Sequence, residues 1–316
     1  SASASRLLQR HQGQHQALES MLAEMYGKEI LLMNSGYHAN AGALSALSVK
    51  GTLIVSDKLS HASMIDGIRL GAGDSVRFAH NDMDMLRRIL KKKASSYDTV
   101  IVATESVFSM DGDFVPLHEL TAIKKEFPNV LLYVDEAHAF GVFGERGLGL
   151  AEAMEVAADI DVLIVTLGKA AAGFGAFIAT SPLLRSYLLN SARSFIFSTA
   201  LPPAVAAWDM LMIEKLCGMK AEREHLQKLA EWFRGELSLL TGSECESRSQ
   251  IVPVMAGSAS GAVRIADALR NSGIDALPIR RPTVPAGGER IRLSLSADLT
   301  EKDLRPVLEV LSRVLR

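Results

Sequence analysis

A single lysine follows one of the most apolar runs of the sequence. Residues 162–166 read VLIVT, and Lys169 comes three residues later, among glycines and alanines. Burying a lysine without a partner is costly, and no carboxylate stands beside this one in the sequence. A second apolar run, at 130–134, ends in Asp135. An amine and a carboxylate at the ends of two predicted strands suit a cofactor that is held through an aldehyde.

Other apolar runs also end in polar residues. Ligands of open α/β sheets bind beyond the carboxyl ends of the strands, so these ends predict one shared site. The candidate residues are Ser35, Gly36, His61, Glu105, Ser109, Asp135, His138, Thr166 and Lys169. An acid, an amine, a ring-stacking histidine and a Ser/Gly/Thr cup for phosphate match pyridoxal 5'-phosphate. The amine forms a Schiff base with the aldehyde, and the carboxylate keeps the pyridinium nitrogen protonated.

Each of these residues also has a simpler interpretation. Asp135 could cap a following helix, and Lys169 could be a surface lysine at a helix start. His61 could be an ordinary loop histidine, while Ser109 and Gly36 could be turn residues. If all of these simpler interpretations held, several unrelated polar residues would have to lie by chance at the carboxyl ends of the predicted strands. The DEAH motif that begins at Asp135 also occurs in helicases, but the chain has no GxxxxGK[ST] loop to bind nucleotide phosphates.

Strand patterns alternate with amphipathic helical patterns up to about residue 200. The strand-like runs are EILLMNSG, TLIVSD, VIVATES, VLLYVDE and DVLIVTLGK. Such near-continuous apolar runs are typical of strands covered on both faces. Strand–helix alternation predicts a mostly parallel sheet with helices on both sides. Residues 203–241 then read as helix, and the remainder mixes short strands and helices, which predicts a small α+β domain.

The composition excludes several classes of function. The 316 residues carry a formal net charge of -2, so no basic surface for nucleic acid or anionic membrane is indicated. Two cysteines, Cys217 and Cys245, form no CxxC pair, so we expect a reducing, cytoplasmic compartment and no metal site. No apolar run reaches the roughly 18–20 residues that a membrane span needs.

The motifs, in their order, resemble the α-oxoamine synthases, a family of fold-type-I pyridoxal-phosphate enzymes with the class I/II aminotransferase fold. The segments that carry the resemblance are SGYHAN, LSHAS, HND, ESVFSMDGDFVPL, VDEAHAFGVFGERGLG, VTLGK, FSTALPP and RPTVPAGGERIRLSLSA. The resemblance implies a large cofactor-binding domain over 1–200, with a mostly parallel sheet of the seven-stranded type. It implies connecting helices and a small α+β domain over 201–316. Family members usually carry a further segment before the point where this sequence begins.

The resemblance also implies an activity. α-Oxoamine synthases are acyltransferases that join an amino acid to an acyl thioester with loss of carbon dioxide. The motifs are most similar to the branch that joins L-alanine to a pimeloyl thioester, on CoA or a carrier protein, in biotin synthesis. A homodimer with the active site at its interface is implied. The alternatives are another member, such as a 2-amino-3-ketobutyrate CoA ligase or serine palmitoyltransferase, and a non-catalytic subunit, which would be expected to have lost Lys169.

Roles at the cofactor follow from the resemblance, position by position. Lys169 is implied as the Schiff-base lysine and Asp135 as the partner of the pyridinium nitrogen. His61 is implied to stack on the ring, with Ser109 and His138 at the ring hydroxyl. The implied phosphate contacts are Gly36, Tyr37 and Thr166, with Ser198 and Thr199 of the neighbouring subunit.

Roles at the substrate are implied in the same way. Arg292 binds the amino-acid carboxylate, Thr283 lies near the acyl substrate, and Glu105 lies close to the site. The alternation in RIRLS places Arg290 and Arg292 on the same face of a strand. We expect Arg292 to bind the carboxylate and Arg290→Lys to have little effect on L-alanine binding. The alternative is that both arginines lie on a solvated edge of the sheet.

Overall fold

The chain forms two compact units in a computed structural model that describes residues 4–8 and 13–315. The first comprises Ser1–Val107 and Val115–Met219, and the second Phe108–Phe114 and Lys220–Arg316. The boundary expected after residue 200 therefore lies inside the first unit, because the helix that follows it, Pro203–Gly218, packs on the first helix of the chain.

The described residues of the first unit build a seven-stranded sheet. Its strands are β1 (Glu29–Met33), β2 (Thr52–Asp57), β3 (Asp74–Phe78), β4 (Thr99–Glu105), β5 (Val130–Asp135), β6 (Val162–Thr166) and β7 (Ala176–Thr180). Their order is β1-β7-β6-β5-β4-β2-β3. Strand β7 runs antiparallel to β1 and β6, and the other neighbours are parallel. The predicted α/β class with a mostly parallel sheet is confirmed.

Helices connect and cover these strands. Those of the first unit are α1 (Gly13–Tyr26), α2 (Gly36–Leu47), α3 (Ala62–Leu70), α4 (Met83–Lys93), α5 (Leu117–Lys125), α6 (Leu150–Ala153), α7 (Pro182–Ser191), α8 (Arg193–Ile196) and α9 (Pro203–Gly218). The sequence analysis did not identify β3 or β7. Most of β3 is exposed, so its residues carry no apolar run, and β7 directly follows the glycine-rich stretch around Lys169.

Helix α2 lies against the centre of the large sheet. Its buried Ala39 and Ala43 pack with Ile101 of β4 and Ile164 of β6 in the main core. Small side chains let the helix approach the sheet closely, and this brings its first turn to the carboxyl ends of the strands. Helix α3 approaches α2 closely at Gly67, since a Cβ on Gly67 would lie 2.8 Å from the carbonyl oxygen of Asn40.

The second unit contains a three-stranded antiparallel sheet among its described residues. Its elements are α10 (Lys220–Thr241), β8 (Ile251–Met255), α11 (Ala259–Asn271), β9 (Pro278–Ile279), β10 (Arg290–Ser294) and α12 (Glu301–Val314). The strand order is β8-β10-β9. The segment 108–114 belongs to this unit, where the backbone N–H of Arg248 donates to the carbonyl of Gly112 at 3.0 Å.

None of the helices in the described ranges combines the length and the apolar character that crossing a bilayer requires.

Candidate active site

Three predicted site residues end neighbouring strands of the large sheet. Glu105 closes β4 and faces Asp135, the last residue of β5, across the parallel ladder. Thr166 closes β6, the next strand, and Lys169 follows it in a loop. Because these strands run parallel, the three ends meet at one edge, where open α/β sheets bind ligands.

Asp135 is a buried carboxylate with a fixed orientation. It is 6% exposed, and its Oδ2 accepts a 2.6 Å hydrogen bond from Asn40 Nδ2 of α2. Its Oδ1 accepts from the backbone N–H of Ala137 at 2.9 Å. The residues that follow form turns. Asp135 therefore stabilises a turn, and the alternative of a helix cap does not hold.

Asn40 connects Asp135 to the histidine of the predicted site. The amide nitrogen of Asn40 also donates to Ser63 Oγ at 3.0 Å, and its oxygen accepts from Tyr133 Oη at 2.8 Å. Ser63 Oγ lies 2.7 Å from His61 Nδ1, which also accepts from the backbone N–H of Ser63 at 3.2 Å. With Nδ1 accepting, the ring proton of His61 belongs on Nε2. One hydrogen-bonded chain thus runs from Asp135 to His61.

Sequence reasoning missed Asn40 and Ser63. Both lie inside quoted motifs, SGYHAN and LSHAS, but each sits within a helix and not at a strand end. Asn40 is 1% exposed and Ser63 is fully buried. A polar residue on the apolar face of a predicted helix was the available signal, because buried polar groups require partners.

Lys169 and His138 lie together beyond β5 and β6. Lys169 Nζ is 2.9 Å from His138 Nε2, and Lys169 is exposed whereas His138 is half-buried. An amine this close to an imidazole can exchange a proton with it. This distance agrees with the prediction that Lys169 and His138 belong to the same site.

Two buried glutamates border this cluster. Glu105 is 3% exposed, and its Oε1 has no hydrogen-bond partner among the described residues. Burial, and then the neighbouring Asp135, raise the pKa of Glu105 well above its usual range, while the backbone N–H of His61 opposes this. Glu136 accepts from the backbone N–H groups of Leu150 and Ala151 at 2.7 and 3.1 Å. Burial raises the pKa of Glu136 to about 7.

The first turn of α2 supplies donors beside Thr166. Ser35 caps the helix by accepting from the backbone N–H of His38 at 3.2 Å. A Cβ built on Gly36 would lie 3.5 Å from the Cβ of Thr166, so the two residues are in van der Waals range. The free N–H groups and the positive end of the helix dipole favour a phosphate here. The side chain of Tyr37 is half exposed and donates to Asp66.

Ser198 and Thr199 lie in the segment between α8 and α9. The carbonyl of Thr199 accepts from Asn34 Nδ2 at 2.7 Å, and that of Leu201 lies 2.7 Å from His15 Nε2. The side chain of Thr199 is exposed and that of Ser198 is half-buried. The side chains of Asn34, just after β1, and His15 of α1 thus hold the backbone of this segment, while Thr199 itself stays exposed.

Three further predicted residues, Ser109, Thr283 and Arg292, belong to the second unit. Arg292 is half-buried, burial lowers its pKa, and its Nε donates to the carbonyl of Ser109 at 2.5 Å. Thr283 is exposed in a turn closed by its N–H and the carbonyl of Arg280 at 3.0 Å.

The alternative of a solvated edge does not hold for Arg290. Arg290 is 6% exposed and forms an ion pair with Asp111. It also donates to the carbonyls of Gly288 and Met110 at 2.7 and 3.2 Å. Arg290 and Arg292 share a face of β10, as predicted, but that face is covered by the segment 108–114. Replacing this buried guanidinium would leave its acceptors without their donor, which is destabilising for the second unit.

The residues at this edge fit pyridoxal phosphate. Lys169 offers an amine, Asp135 a buried and oriented carboxylate, and α2 a helix N-terminus beside a hydroxyl. The buried Oε1 of Glu105, for which the described residues offer no hydrogen-bond partner, is a further polar atom at the same strand ends. No group of three or more metal-ligating side chains occurs within residues 4–8 and 13–315.

Comparisons with known proteins identify the family. The profile of the aminotransferase class I and II family matches residues 2–311. A relative from Glaesserella parasuis is 47% identical over 311 residues, which cover 98% of this chain and 82% of that protein. A relative from Haemophilus ducreyi, 46% identical over 315 residues (98% and 81%), is named 8-amino-7-oxononanoate synthase.

Solved structures agree with this family. The 8-amino-7-oxononanoate synthase of Francisella tularensis has a TM-score of 0.84 at 30% identity, covering 95% of this chain and 87% of that one. A serine palmitoyltransferase of S. paucimobilis with a bound PLP–myriocin aldimine has a TM-score of 0.92 at 32% identity, covering 99% and 79%. The cofactor of this family is pyridoxal phosphate. The chain belongs to the aminotransferase class I and II family and, within it, to the pyridoxal-phosphate-dependent acyltransferases of the α-oxoamine synthase group.

Proposed function

We propose that this enzyme condenses L-alanine with a pimeloyl thioester, on CoA or a carrier protein, with loss of carbon dioxide, to give 8-amino-7-oxononanoate. The observation that carries the proposal is that the Lys169–His138 pair and Asp135 follow neighbouring strand ends, with Asp135 linked to His61 through Asn40 and Ser63. The names of the relatives from Haemophilus ducreyi and Francisella tularensis support the choice of substrates.

We assign Lys169 two tasks. Its Nζ would hold the cofactor through the aldehyde group, and Nζ would also serve as the general base that removes the α-proton of the amino acid. His138 Nε2, 2.9 Å away, can accept the ammonium proton and so return the amine to its neutral form. Bound pyridoxal phosphate supplies an electron-withdrawing ring that stabilises negative charge at the α-carbon.

Asp135 would be the partner that keeps the ring nitrogen of the cofactor protonated. A carboxylate can keep that nitrogen protonated only if it points at it, and the bonds from Asn40 and Ala137 fix both of its oxygens. His61, on the same hydrogen-bonded chain, would lie on the ring face, with the Nδ1 edge held by Ser63. The first unit is therefore the cofactor-binding domain in this proposal.

The phosphate group would be held at the first turn of α2. The backbone N–H groups of Gly36 and Tyr37 and the hydroxyl of Thr166 are suitable donors. Ser198 and Thr199 would reach the phosphate of a second copy of the chain, which supports a homodimer with shared sites. The accessible Thr199 hydroxyl on a fixed backbone suits such a contact.

In the second unit, Arg292 would bind the substrate carboxylate through its guanidinium fork. Its Nε donates to the carbonyl of Ser109 and its Nη1 donates to Ser294 Oγ at 3.4 Å, so a ligand would be bound by Nη2 and the second hydrogen of Nη1. In this proposal Ser109 would lie at the ring hydroxyl, Thr283 near the acyl chain and Glu105 close to the substrate. A neutral Glu105 would add no second negative charge beside Asp135.

A second candidate is the joining of L-serine to a palmitoyl thioester. The serine palmitoyltransferases have the higher TM-scores, 0.92 against 0.84 for the Francisella enzyme. A non-catalytic subunit is disfavoured, because Lys169, Asp135 and His61 are all present.

The test is a matrix of thioester turnover. L-alanine, glycine and L-serine are each combined with acetyl-, pimeloyl- and palmitoyl-CoA, and carbon dioxide and free thiol are measured, with Lys169→Ala as the control. We expect turnover with L-alanine and the pimeloyl thioester and none in the control. Preference for L-serine with palmitoyl-CoA would establish the second candidate, and no turnover with any pair, on CoA or carrier protein, would refute both.

A further inference from the structure

The loop that carries Lys169 is held in a strained conformation. This Lys169 loop (167–175) is closed by the N–H of Leu167 donating to the carbonyl of Gly175 at 3.0 Å. Within it, Ala172 has φ of 48°, the left-handed region that side chains other than glycine rarely adopt. Such a residue persists only where its surroundings impose it, and such sites cluster where function requires a fixed geometry.

Two residues of helix α9 contact three consecutive residues of the Lys169 loop. Trp208 Nε1 donates to the carbonyl of Ala172 at 3.0 Å, and the N–H of Phe174 donates to Asp209 Oδ1 at 3.0 Å. Between them, Gly173 lies so close that a Cβ there would overlap Asp209 Oδ1. The carboxyl group of Asp209 therefore fits against loop backbone that only glycine can provide.

Asp209 is a buried carboxyl group whose burial costs free energy. It is 1% exposed, and its Oδ2 has no hydrogen-bond partner within the described part of the chain. Burial raises the pKa of Asp209 to about 6, although the N–H of Phe174 opposes the shift. A buried carboxyl group with one unpartnered oxygen does not stabilise a helix. Its one described bond is to the Lys169 loop.

We propose that Asp209, assisted by Trp208, is a positioning residue that holds the Lys169 loop in the conformation in which the lysine amine meets the cofactor. The proposal rests on the proposed role of Lys169 as the cofactor-holding residue. Asp209 acts through the backbone of Phe174 and Gly173, and the essential feature is the acceptor Oδ1. An asparagine at this position retains an acceptor, whereas a leucine of similar size does not.

The first experiment measures hydrogen exchange in the cofactor-free protein. Asp209→Leu should speed exchange in the peptide spanning 167–175 on the order of ten- to a hundredfold, the value of one hydrogen bond to a charged group. Asp209→Asn should leave it close to wild type. Glu214→Gln, an exposed residue on the same helix, is the matched control. Unchanged exchange in Asp209→Leu would overturn the proposal.

A double-mutant cycle covers the case in which Asp209→Leu fails to fold. Gly173→Ala introduces a methyl group against the carboxyl group, so on its own it should speed exchange in the same peptide on the order of tenfold. In an Asp209→Ala background the obstacle is absent, and Gly173→Ala should add little. An equal effect of Gly173→Ala in both backgrounds would show that the carboxyl group does not shape the loop.

A cofactor measurement separates this proposal from the proposed function. Titration with pyridoxal phosphate, followed by absorbance, should give weaker binding for Asp209→Leu and near wild-type binding for Asp209→Asn. If wild type binds the cofactor at a lysine other than Lys169, the proposed function fails. The exchange experiments still test whether Asp209 holds the Lys169 loop. If exchange rises but cofactor affinity does not fall, the contact is structural only and Asp209 is not a positioning residue.

Discussion

Replacing Asn40 by alanine should weaken both the fold and the hold on the cofactor. Asn40 bridges three buried groups: it donates to Asp135 at 2.6 Å and Ser63 at 3.0 Å, and accepts from Tyr133 at 2.8 Å. The bond to a carboxylate contributes about 1.5–3 kcal/mol and each neutral bond about 0.5–1.5 kcal/mol. We expect the free energy of unfolding to fall by about 3–5 kcal/mol.

The affinity for pyridoxal phosphate should fall on the order of tenfold in the same variant, equivalent to about 1.4 kcal/mol, because one oxygen of Asp135 loses its fixed donor. The assays are urea unfolding of the cofactor-free protein and titration of the cofactor absorbance. Asn129→Ala is the control, since Asn129 donates to the carbonyls of Ala94 and Tyr97 at 2.9 Å, away from the site. It should lower stability and leave cofactor affinity unchanged. Equal cofactor affinities in the two variants would refute the reasoning.

Three other predictions concern separate parts of the molecule. The pKa of Glu136 is raised to about 7 from 4.5, so its contribution to stability is fully present below pH 4.5 and is lost as the pH rises through 7. Glu136→Gln should remove about 3 kcal/mol of that pH dependence in urea unfolding, and parallel curves for both proteins would contradict it. Arg290→Lys should lower the stability by about 1–3 kcal/mol, whereas Arg292→Lys should chiefly weaken L-alanine binding, followed in the cofactor spectrum; the reverse pattern would show that the two roles are exchanged. Mixing Lys169→Ala with Thr199→Ala subunits should give activity different from the mean of the parents, and a fully active monomer in sedimentation would contradict shared sites.

The ends of the buried strands were predictable because a strand covered on both faces has a continuous apolar sequence, which stops where the strand ends. TLIVSD coincides with β2, and the runs that end at Asp135 and Thr166 coincide with β5 and β6. The position of Asp135 and Lys169 at one edge follows from parallel strands alone. What the pattern could not provide is which side chains join them, because Asn40 reaches Asp135 only through the packing of α2 on the sheet.

Other parts of the site depend on contacts between residues that are distant in sequence. The sequence places Arg290 and Arg292 on one face of β10, and the burial of Arg290 with its ion pair to Asp111 becomes visible only in the structure. Asp209 reads as an ordinary polar residue of a helix, and its burial against Phe174 depends on how α9 meets the Lys169 loop. Arg290 and Asp209 are ionisable residues whose burial the local sequence pattern does not predict, because the residues that cover them are distant in the sequence.

The central claim is that Lys169 is the residue that holds pyridoxal phosphate. The most direct measurement is borohydride reduction of the protein loaded with pyridoxal phosphate, followed by peptide mapping of the reduced cofactor. We predict one label per chain, on Lys169, and its loss in Lys169→Ala. A label on any other lysine, or the same label in Lys169→Ala, would contradict the account.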